Sequence, residues 1–159
     1  MNKERLLERL KKADVRAVAR LITLIENENP VAEDILKKIW KNTGKSYIIG
    51  ITGPPGAGKS TIVDSLAKFL AEKGKSVGIL AVDPTSPFSG GAVLGDRLRM
   101  SGAQTSGIFI RSVASRGHLG GLAATTRLLI NAVELLGNDF TLVETVGAGQ
   151  GDVEIVQIS

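Results

Sequence analysis

The chain has 159 residues, 43% of them apolar, a formal net charge of +4 and no cysteine, so it can bury one hydrophobic core but cannot form a disulfide framework or a Cys-ligated metal site. No apolar run approaches the roughly 20 residues that a membrane helix needs. The N-terminal sequence MNKERLLERLKK also lacks the apolar core of a secretory signal. We therefore expect a cytoplasmic protein without a membrane partner.

The basic excess lies in the first part of the chain. Residues 1–45 hold 11 Lys/Arg and 7 Asp/Glu, whereas residues 46–159 hold nine of each. Surfaces that bind nucleic acids interleave basic residues with aromatic ones, and residues 1–45 contain a single aromatic residue, Trp40. We interpret the excess as a solvated helix face, with docking to an acidic partner as the alternative, and we expect no nucleic-acid partner.

The first 45 residues have the apolar spacing of three short helices. The first covers residues 3–10. Asp14 is the expected N-cap of the second, whose apolar positions are Val15, Val18, Leu21, Ile22 and Ile25. Asn29-Pro30 interrupts the pattern, which resumes over residues 31–41, and Gly44 is expected to stop it. Residues 1–45 are therefore predicted to form a helical N-terminal arm.

From Lys45 onward, short apolar runs alternate with helical segments. Predicted strands cover residues 47–52, 77–82, 107–111 and 140–144, and predicted helices cover 60–73, 94–100 and 122–136. Strands that are apolar throughout and alternate with helices are typical of a parallel sheet covered on both faces. We therefore predict an α/β fold with a mostly parallel sheet for residues 46–159.

A phosphate-binding loop lies between the first predicted strand and the helix after it. Its sequence GPPGAGKS matches the P-loop (Walker A) pattern G-x-x-x-x-G-K-[ST]. The glycines let backbone N–H groups turn toward an anion, and the following helix points its N-terminus at the phosphates. Lys59 is expected to reach the β- and γ-phosphates, and the Ser60 hydroxyl is expected to bind Mg²⁺. The nucleotide-binding residues predicted from this loop are Gly53, Pro54, Pro55, Gly56, Ala57, Gly58, Lys59 and Ser60.

Carboxylates follow the predicted strands where such sheets bind ligands. Asp83 follows VGILAV, Glu144 follows FTLV, and Asp96 lies in the short helical segment after a Gly/Ser-rich stretch. Ligands of doubly wound sheets bind at the carboxyl ends of the strands, so these acids are expected to face Ser60 and the metal. Residues 144–147 also resemble the acid-x-x-Gly step of many GTPases, in which the acid contacts Mg²⁺ and the glycine N–H senses the γ-phosphate. The alternative for each carboxylate is a helix cap or a solubilising loop residue.

Four long motifs together resemble one protein family. GITGPPGAGKST, AVDPTSPFSGGAVLGDRLRM, FIRSVASRGHLGGLA and VETVGAGQ, in this order and spacing, are similar to the MeaB/ArgK family of P-loop GTPases. The family is also called methylmalonyl-CoA mutase-associated GTPases, and older labels read LAO/AO transport system ATPase or kinase. The resemblance covers nearly the whole chain.

The resemblance implies a GTPase that acts as a chaperone for an adenosylcobalamin-dependent methylmalonyl-CoA-type mutase, and a homodimer in full-length relatives. It implies Mg²⁺ as cofactor, held by Ser60 with Asp83, Asp96 and Glu144 around it, and GTP and GDP as substrate and product. It also implies that Thr61 and Gly147 take part in binding the nucleotide, that residues 84–100 form a first switch and that residues 147–152 form a second.

The chain departs from the family pattern in two places. The second switch reads GAGQ followed by Gly151-Asp152, where relatives have GVGQ followed by Ser-Glu. No Asn-Lys-x-Asp element, which reads guanine in the family, occurs before the chain stops at Ser159. We therefore expect residues 46–159 to be the N-terminal portion of a G domain whose C-terminal part is missing. At least one sheet edge and one core face should then be uncovered, with either marginal stability or stabilisation by a partner chain.

The expected reaction is the attack of water on the γ-phosphate, helped by positioning and charge neutralisation. Lys59 supplies positive charge, and Gln150, Asp83 or Asp96 orients the water. Two other interpretations stay open: an ATPase or kinase linked to arginine/ornithine transport, and a catalytically incomplete fragment that binds nucleotide without turnover.

Overall fold

A computed structural model describes residues 2–83, 107–114 and 121–145 of the chain, and it describes the backbone alone at residues 83, 114 and 121–123. The predicted helix at 94–100, with Asp96, therefore lies outside the described residues, as do Gly147 and Gln150.

Three helices form the N-terminal arm. They are α1 (Lys3–Leu10), α2 (Val15–Glu26) and α3 (Pro30–Ile39), and a 3-10 turn (Trp40–Asn42) follows α3. The Asp14 side chain accepts from the Ala17 N–H at the start of α2, which confirms the predicted cap. Asn29 caps α3 in the same way, with Pro30 in the first turn. Pro30 thus begins a helix, because its missing N–H is not needed at that position.

The rest of the described chain alternates strands and helices. In chain order these are β1 (Tyr47–Ile51), α4 (Lys59–Glu72), β2 (Val77–Asp83), β3 (Ile108–Ala114), α5 (Gly121–Glu134) and β4 (Phe140–Thr145). β3 extends beyond its predicted end at residue 111, because Ser112, Val113 and Ala114 pair with the last residues of β2.

The four strands form one parallel sheet in the order β1-β4-β2-β3. β4 lies between β1 and β2, with Glu144 in register with Ile51 on one side and Ala81 on the other. The carboxyl ends of β1 and β4 therefore adjoin, and the loop that leaves β1 emerges next to Glu144. The predicted α/β fold with a parallel sheet is confirmed.

Helices cover both faces of this sheet. On one face, Val63 and Ala67 of α4 pack against Val77, Ile79 and Leu142. On the other face, α5 packs on β2 and β4, and α2 packs on α5 and β3. Successive side chains of a strand point to opposite faces of the sheet. Residues of one strand that share the same parity, that is, whose numbers are both odd or both even, therefore contact the same helix layer.

The apolar stripes of the arm are buried in the same hydrophobic cluster as α5 and the adjacent sheet face. Leu21, Ile22 and Ile35 are fully buried there. Val15 is 55% exposed, because it occupies the first position of α2 at the end of the packed stripe. The division of the chain into domains at residue 45 stays a prediction.

Candidate functional site

The loop between β1 and α4 has a backbone that only glycine adopts without strain at three positions. The φ angles are +146° at Gly53, +77° at Gly56 and +84° at Gly58. A Cβ at Gly56 or Gly58 would meet no atom within 4 Å, so the positive φ and not crowding favours glycine there. These turns bring the backbone of residues 53–58 round to the start of α4.

The N-terminus of α4 opens onto this loop. Gly58 is its N-cap, and no side chain of the described residues caps it. The first N–H groups of a helix lack partners within the helix, and the helix dipole places positive charge at that end. Ser60 and Thr61 in the first turn are exposed. A helix start of this kind is suited to hold an anion.

Lys59 is the first residue of α4, and its side chain folds back over the loop. The Nζ donates to the backbone oxygens of Gly53 and Pro54, each across 2.7 Å, and the residue is only 9% exposed. The ammonium group therefore lies within the curve of the loop. An anion that enters the loop meets this charge together with the helix N-terminus.

Ser60 contacts the strand that carries the acid predicted as a metal ligand. Its Oγ donates to Oε1 of Glu144 across 2.5 Å, and Glu144 is 4% exposed at the end of β4. Glu144 has the same parity as Leu142, which packs under α4, so the carboxylate lies on the α4 face of the sheet. The structure thus brings together the loop, Lys59, Ser60 and Glu144.

The two oxygen groups that meet here suit Mg²⁺. A hydroxyl and a carboxylate are hard oxygen ligands, and Mg²⁺ is commonly held by one or two protein oxygens together with phosphate and water. The described residues contain no group of three or more His, Cys, Asp or Glu that would enclose a metal by itself. Ser60 and Glu144 therefore fit a site that a phosphate ligand completes.

The remaining predicted metal and catalytic residues are only partly placed. Asp83 is the last residue of β2, whose neighbour β4 carries Glu144, so its backbone ends at the same edge of the sheet. Its side chain is not described. Asp96, Gly147 and Gln150 lie outside the described residues, so their roles stay predictions.

Arg111 of β3 lies on the other face of the sheet. Its Nη2 donates to Thr23 Oγ1 at 3.1 Å and pairs with Glu26 Oε2 at 3.3 Å, both in α2. Phe109 and Val113, which share its parity, pack in the cluster formed by the arm and α5. Arg111 therefore links the arm to the sheet and does not face the loop of residues 53–60.

Two polar contacts, one beside the loop of residues 53–60 and one at the other end of β1, had no signal in the sequence. Thr145 Oγ1 donates to Thr52 Oγ1 at 3.1 Å, which joins the residue after Glu144 to the residue before Gly53. Glu134, 5% exposed at the end of α5, accepts from the backbone N–H groups of Gly44 and Ser46. Glu134 thus fixes the segment that leads into β1, although the two regions are far apart in sequence.

Within the part of the chain that the structure describes, no helix has the length and apolar character required to cross a bilayer.

Similarity to known proteins identifies a family for this chain. A family model described as "Methylmalonyl Co-A mutase-associated GTPase MeaB" matches residues 18–159. A protein of Pyrococcus abyssi, described as a putative GTPase, is 56% identical over 155 residues, which are 97% of this chain and 48% of that protein. A fused isobutyryl-CoA mutase of Geobacillus kaustophilus is 40% identical over 162 residues, which cover 96% of this chain and 15% of that protein.

A crystal structure of an LAO/AO transport system kinase superposes with a TM-score of 0.75 at 30% identity, over 99% of this chain and 48% of that one. The chain spans about half the length of this structure and of the Pyrococcus relative. The predicted P-loop fold and family resemblance are confirmed.

Proposed function

Because the chain belongs to the family of methylmalonyl Co-A mutase-associated GTPases, we propose that it binds GTP with Mg²⁺ at the loop of residues 53–60 and hydrolyses the γ-phosphate. The observation that carries this proposal is the convergence of the Lys59 ammonium, the N-terminus of α4 and the Ser60–Glu144 pair on one loop.

Each group has a defined role in this proposal. The Lys59 ammonium leaves the oxygens of Gly53 and Pro54 and pairs with β- and γ-phosphate oxygens, while loop and helix N–H groups donate to the same anion. Once the nucleotide is bound these donors are already in place, so they stabilise the charge that develops on the phosphates during the reaction without further movement.

Ser60 and Glu144 are the proposed holders of Mg²⁺, with Asp83 and Asp96 as further candidates. When bound, Mg²⁺ neutralises charge on the phosphate oxygens. A hydroxyl has one donor and two lone pairs, so Ser60 would be able to keep its hydrogen bond to Oε1 of Glu144 while a lone pair of its oxygen held the metal. Orientation of the attacking water by Gln150, Asp83 or Asp96 belongs to the proposal as well.

Phosphate release measured with GTP and with ATP in the presence of Mg²⁺ tests this function. We expect release from GTP that does not need an acceptor, stops when EDTA removes the metal and is slower with ATP. Guanine preference rests on family membership, since the chain contains no Asn-Lys-x-Asp element. Equal rates with both nucleotides would contradict that preference.

Similarity to the LAO/AO transport system kinase favours a kinase as a second candidate. A kinase would use the same loop and metal site, but phosphate would appear on an amine or hydroxyl acceptor such as arginine or ornithine. Phosphate transfer that depends on the acceptor would favour the kinase. Nucleotide binding without phosphate release under either condition would favour the catalytically incomplete fragment.

We also propose that the protein acts on an adenosylcobalamin-dependent acyl-CoA mutase as a chaperone. The family description and the relative in which a similar segment is fused to an isobutyryl-CoA mutase support this partner. The test is the rate of GTP hydrolysis with and without such a mutase. A rate that does not change, together with no co-elution of the two proteins, would contradict the partnership.

A further inference from the structure

Trp40 lies between two cavities formed by α3, the segment before β1, and α5. The first, here called the polar pocket, has a volume of about 220 Å³ and is lined by Trp40, Ser46, Arg127, Asn131 and Glu134, among others. The second, here called the apolar hollow, has a volume of about 340 Å³ and is lined by Glu33, Leu36, Lys37, Trp40 and Leu128. Neither contains a residue of the loop 53–60, so both are separate from the proposed nucleotide site.

Asn131 leaves a hydrogen-bond donor unused in the wall of the polar pocket. The residue is 7% exposed, and its Nδ2 has no hydrogen-bond partner among the described residues. Buried polar side chains are rarely left without a partner, so such a donor calls for an explanation. The last torsion of an asparagine is broad, so the amide nitrogen can turn toward an oxygen that enters the pocket.

The charges around Asn131 favour an anionic oxygen. Arg127 is exposed and precedes Asn131 by one helical turn, so both line the pocket from the same face of α5. The one acid of the pocket, Glu134, accepts from the Gly44 N–H at 2.9 Å and the Ser46 N–H at 3.2 Å, so backbone donors engage both of its oxygens, whereas no described residue forms an ion pair with Arg127. A guanidinium group and an amide donor together match the planar oxygens of a carboxylate.

The adjoining hollow supplies an apolar surface. Trp40 lines both cavities and is 58% exposed, and Leu36 and Leu128 continue the hollow. Its charged residues, Glu33 and Lys37, form an ion pair at 3.8 Å. A ligand whose carboxylate enters the polar pocket can therefore extend along the indole ring and bury a hydrocarbon tail.

We propose that the two cavities beside Trp40 bind a small free carboxylate with an apolar tail, held by Arg127 and Asn131 at one end and by Leu36, Trp40 and Leu128 along its length. This site is independent of nucleotide binding.

Trp40 is the only tryptophan of the chain, so its fluorescence reports on this site alone. Octanoate, octanamide and octylamine share one tail and differ in charge, and titration of each probe tests the head group. We expect the strongest binding for octanoate and the weakest for octylamine. We also expect affinity to rise from butyrate to octanoate by up to about fourfold for each methylene that becomes buried. A preference for octanamide or octylamine, equal affinity for butyrate and octanoate, or no saturable change would overturn the proposal.

Variants separate the site from general effects on folding. Asn131→Leu and Arg127→Gln should each weaken octanoate binding by about tenfold, which is the effect of one lost hydrogen bond or charge contact. Asn131→Leu should leave the melting temperature unchanged or raised, because it removes an unpaired buried donor. GTP affinity should not change in either variant.

The matched control is Arg5→Gln, which replaces an exposed arginine of α1. This variant should bind octanoate with the same affinity as the unmodified chain. Octanoate affinity that stays unchanged in Asn131→Leu and Arg127→Gln would overturn the proposal. The peptide acetyl-Leu-Glu-Leu-amide presents the same carboxylate on a protein-like chain. Tighter binding of this peptide than of octanoate would assign the site to an acidic side chain of a partner and would also overturn it.

Discussion

The Ser60 hydroxyl donates to the Glu144 carboxylate across 2.5 Å, and this bond connects the first turn of α4 to the end of β4. The two residues are 84 positions apart in sequence. The bond forms because β4 inserts between β1 and β2, so that its carboxyl end adjoins the loop that leaves β1. Both oxygens then stand at the start of the helix that is proposed to hold a nucleotide.

Replacement of Ser60 tests the metal role of its hydroxyl. We expect Ser60→Ala to lower GTP affinity in Mg²⁺ by at least about tenfold. Even the replacement of a residue that only hydrogen-bonds a metal ligand typically lowers metal affinity by that factor. Affinity in EDTA should change little. Ser60→Thr keeps the hydroxyl and should retain most of the affinity in Mg²⁺. Isothermal titration under both conditions provides the measurement, and an equal loss with and without Mg²⁺ would argue against metal binding by Ser60.

Glu144→Gln separates the function of this carboxylate from its structural role. The side chain is buried, and the structure gives it one hydrogen bond among the described residues. A charge buried with so little compensation is costly, so the neutral amide should leave the melting temperature of the nucleotide-free protein unchanged or raise it. The Mg²⁺-dependent rate of GTP hydrolysis should fall. A lower melting temperature with an unchanged rate would assign Glu144 a structural role only.

Gly78 of β2 has no space for a side chain. A Cβ there would lie 2.5 Å from Asn138 Nδ2 and 2.5 Å from Val133 Cγ1. We expect Gly78→Ala to lower the free energy of unfolding by about 1–3 kcal/mol, as overpacking of a core typically does. Urea denaturation measures this loss, with the exposed α1 substitution Glu8→Ala as a control that should be close to neutral. A Gly78→Ala protein as stable as the control would show that β2 and α5 separate easily.

The cap of α2 gives the stability a defined dependence on pH. The Ala17 N–H and the Arg9 guanidinium, which both donate to Asp14, hold the pKa of this carboxyl below its ordinary value of 3.8. A lowered pKa in the folded state stabilises the fold above the unfolded value, and this contribution is lost as the pH falls through the folded-state pKa.

Asp14→Ala should therefore lower the melting temperature at neutral pH, and the difference should shrink below pH 3.8. Asp14→Ser keeps a capping oxygen but loses the ion pair. Its melting temperature at neutral pH should therefore lie between those of the unmodified chain and Asp14→Ala. A difference that stays constant with pH would show that the charge of Asp14 contributes nothing.

Much of this fold follows from local sequence patterns. Gly53, Gly56 and Gly58 mark the loop because its turns need positive φ, and Asp14 marks a helix start because its side chain accepts a backbone N–H. The strands are visible as apolar runs because the sheet is covered on both faces.

The local sequence pattern does not reveal on which face of the sheet a particular strand residue lies. Arg111 lies within the apolar run of β3, and its pairing with Glu26 depends on α2 lying on that face of the sheet. The cavities beside Trp40 are likewise invisible in the sequence, because residues 33–48 and 127–134 meet only after folding. The roles of Asp83, Asp96 and Gln150 are still predictions, since they depend on side chains outside the described structure.

The central claim is that the loop of residues 53–60 binds a nucleoside triphosphate through Lys59. Its most direct test is the titration of GTP in Mg²⁺ into the unmodified chain, Lys59→Ala and the matched α4 control Lys68→Ala. We predict saturable binding to the unmodified chain and to Lys68→Ala, and a loss of at least about tenfold in Lys59→Ala, which is the effect of a lost charge-assisted hydrogen bond. Equal GTP affinity in all three proteins, or no saturable binding to any of them, would contradict the claim.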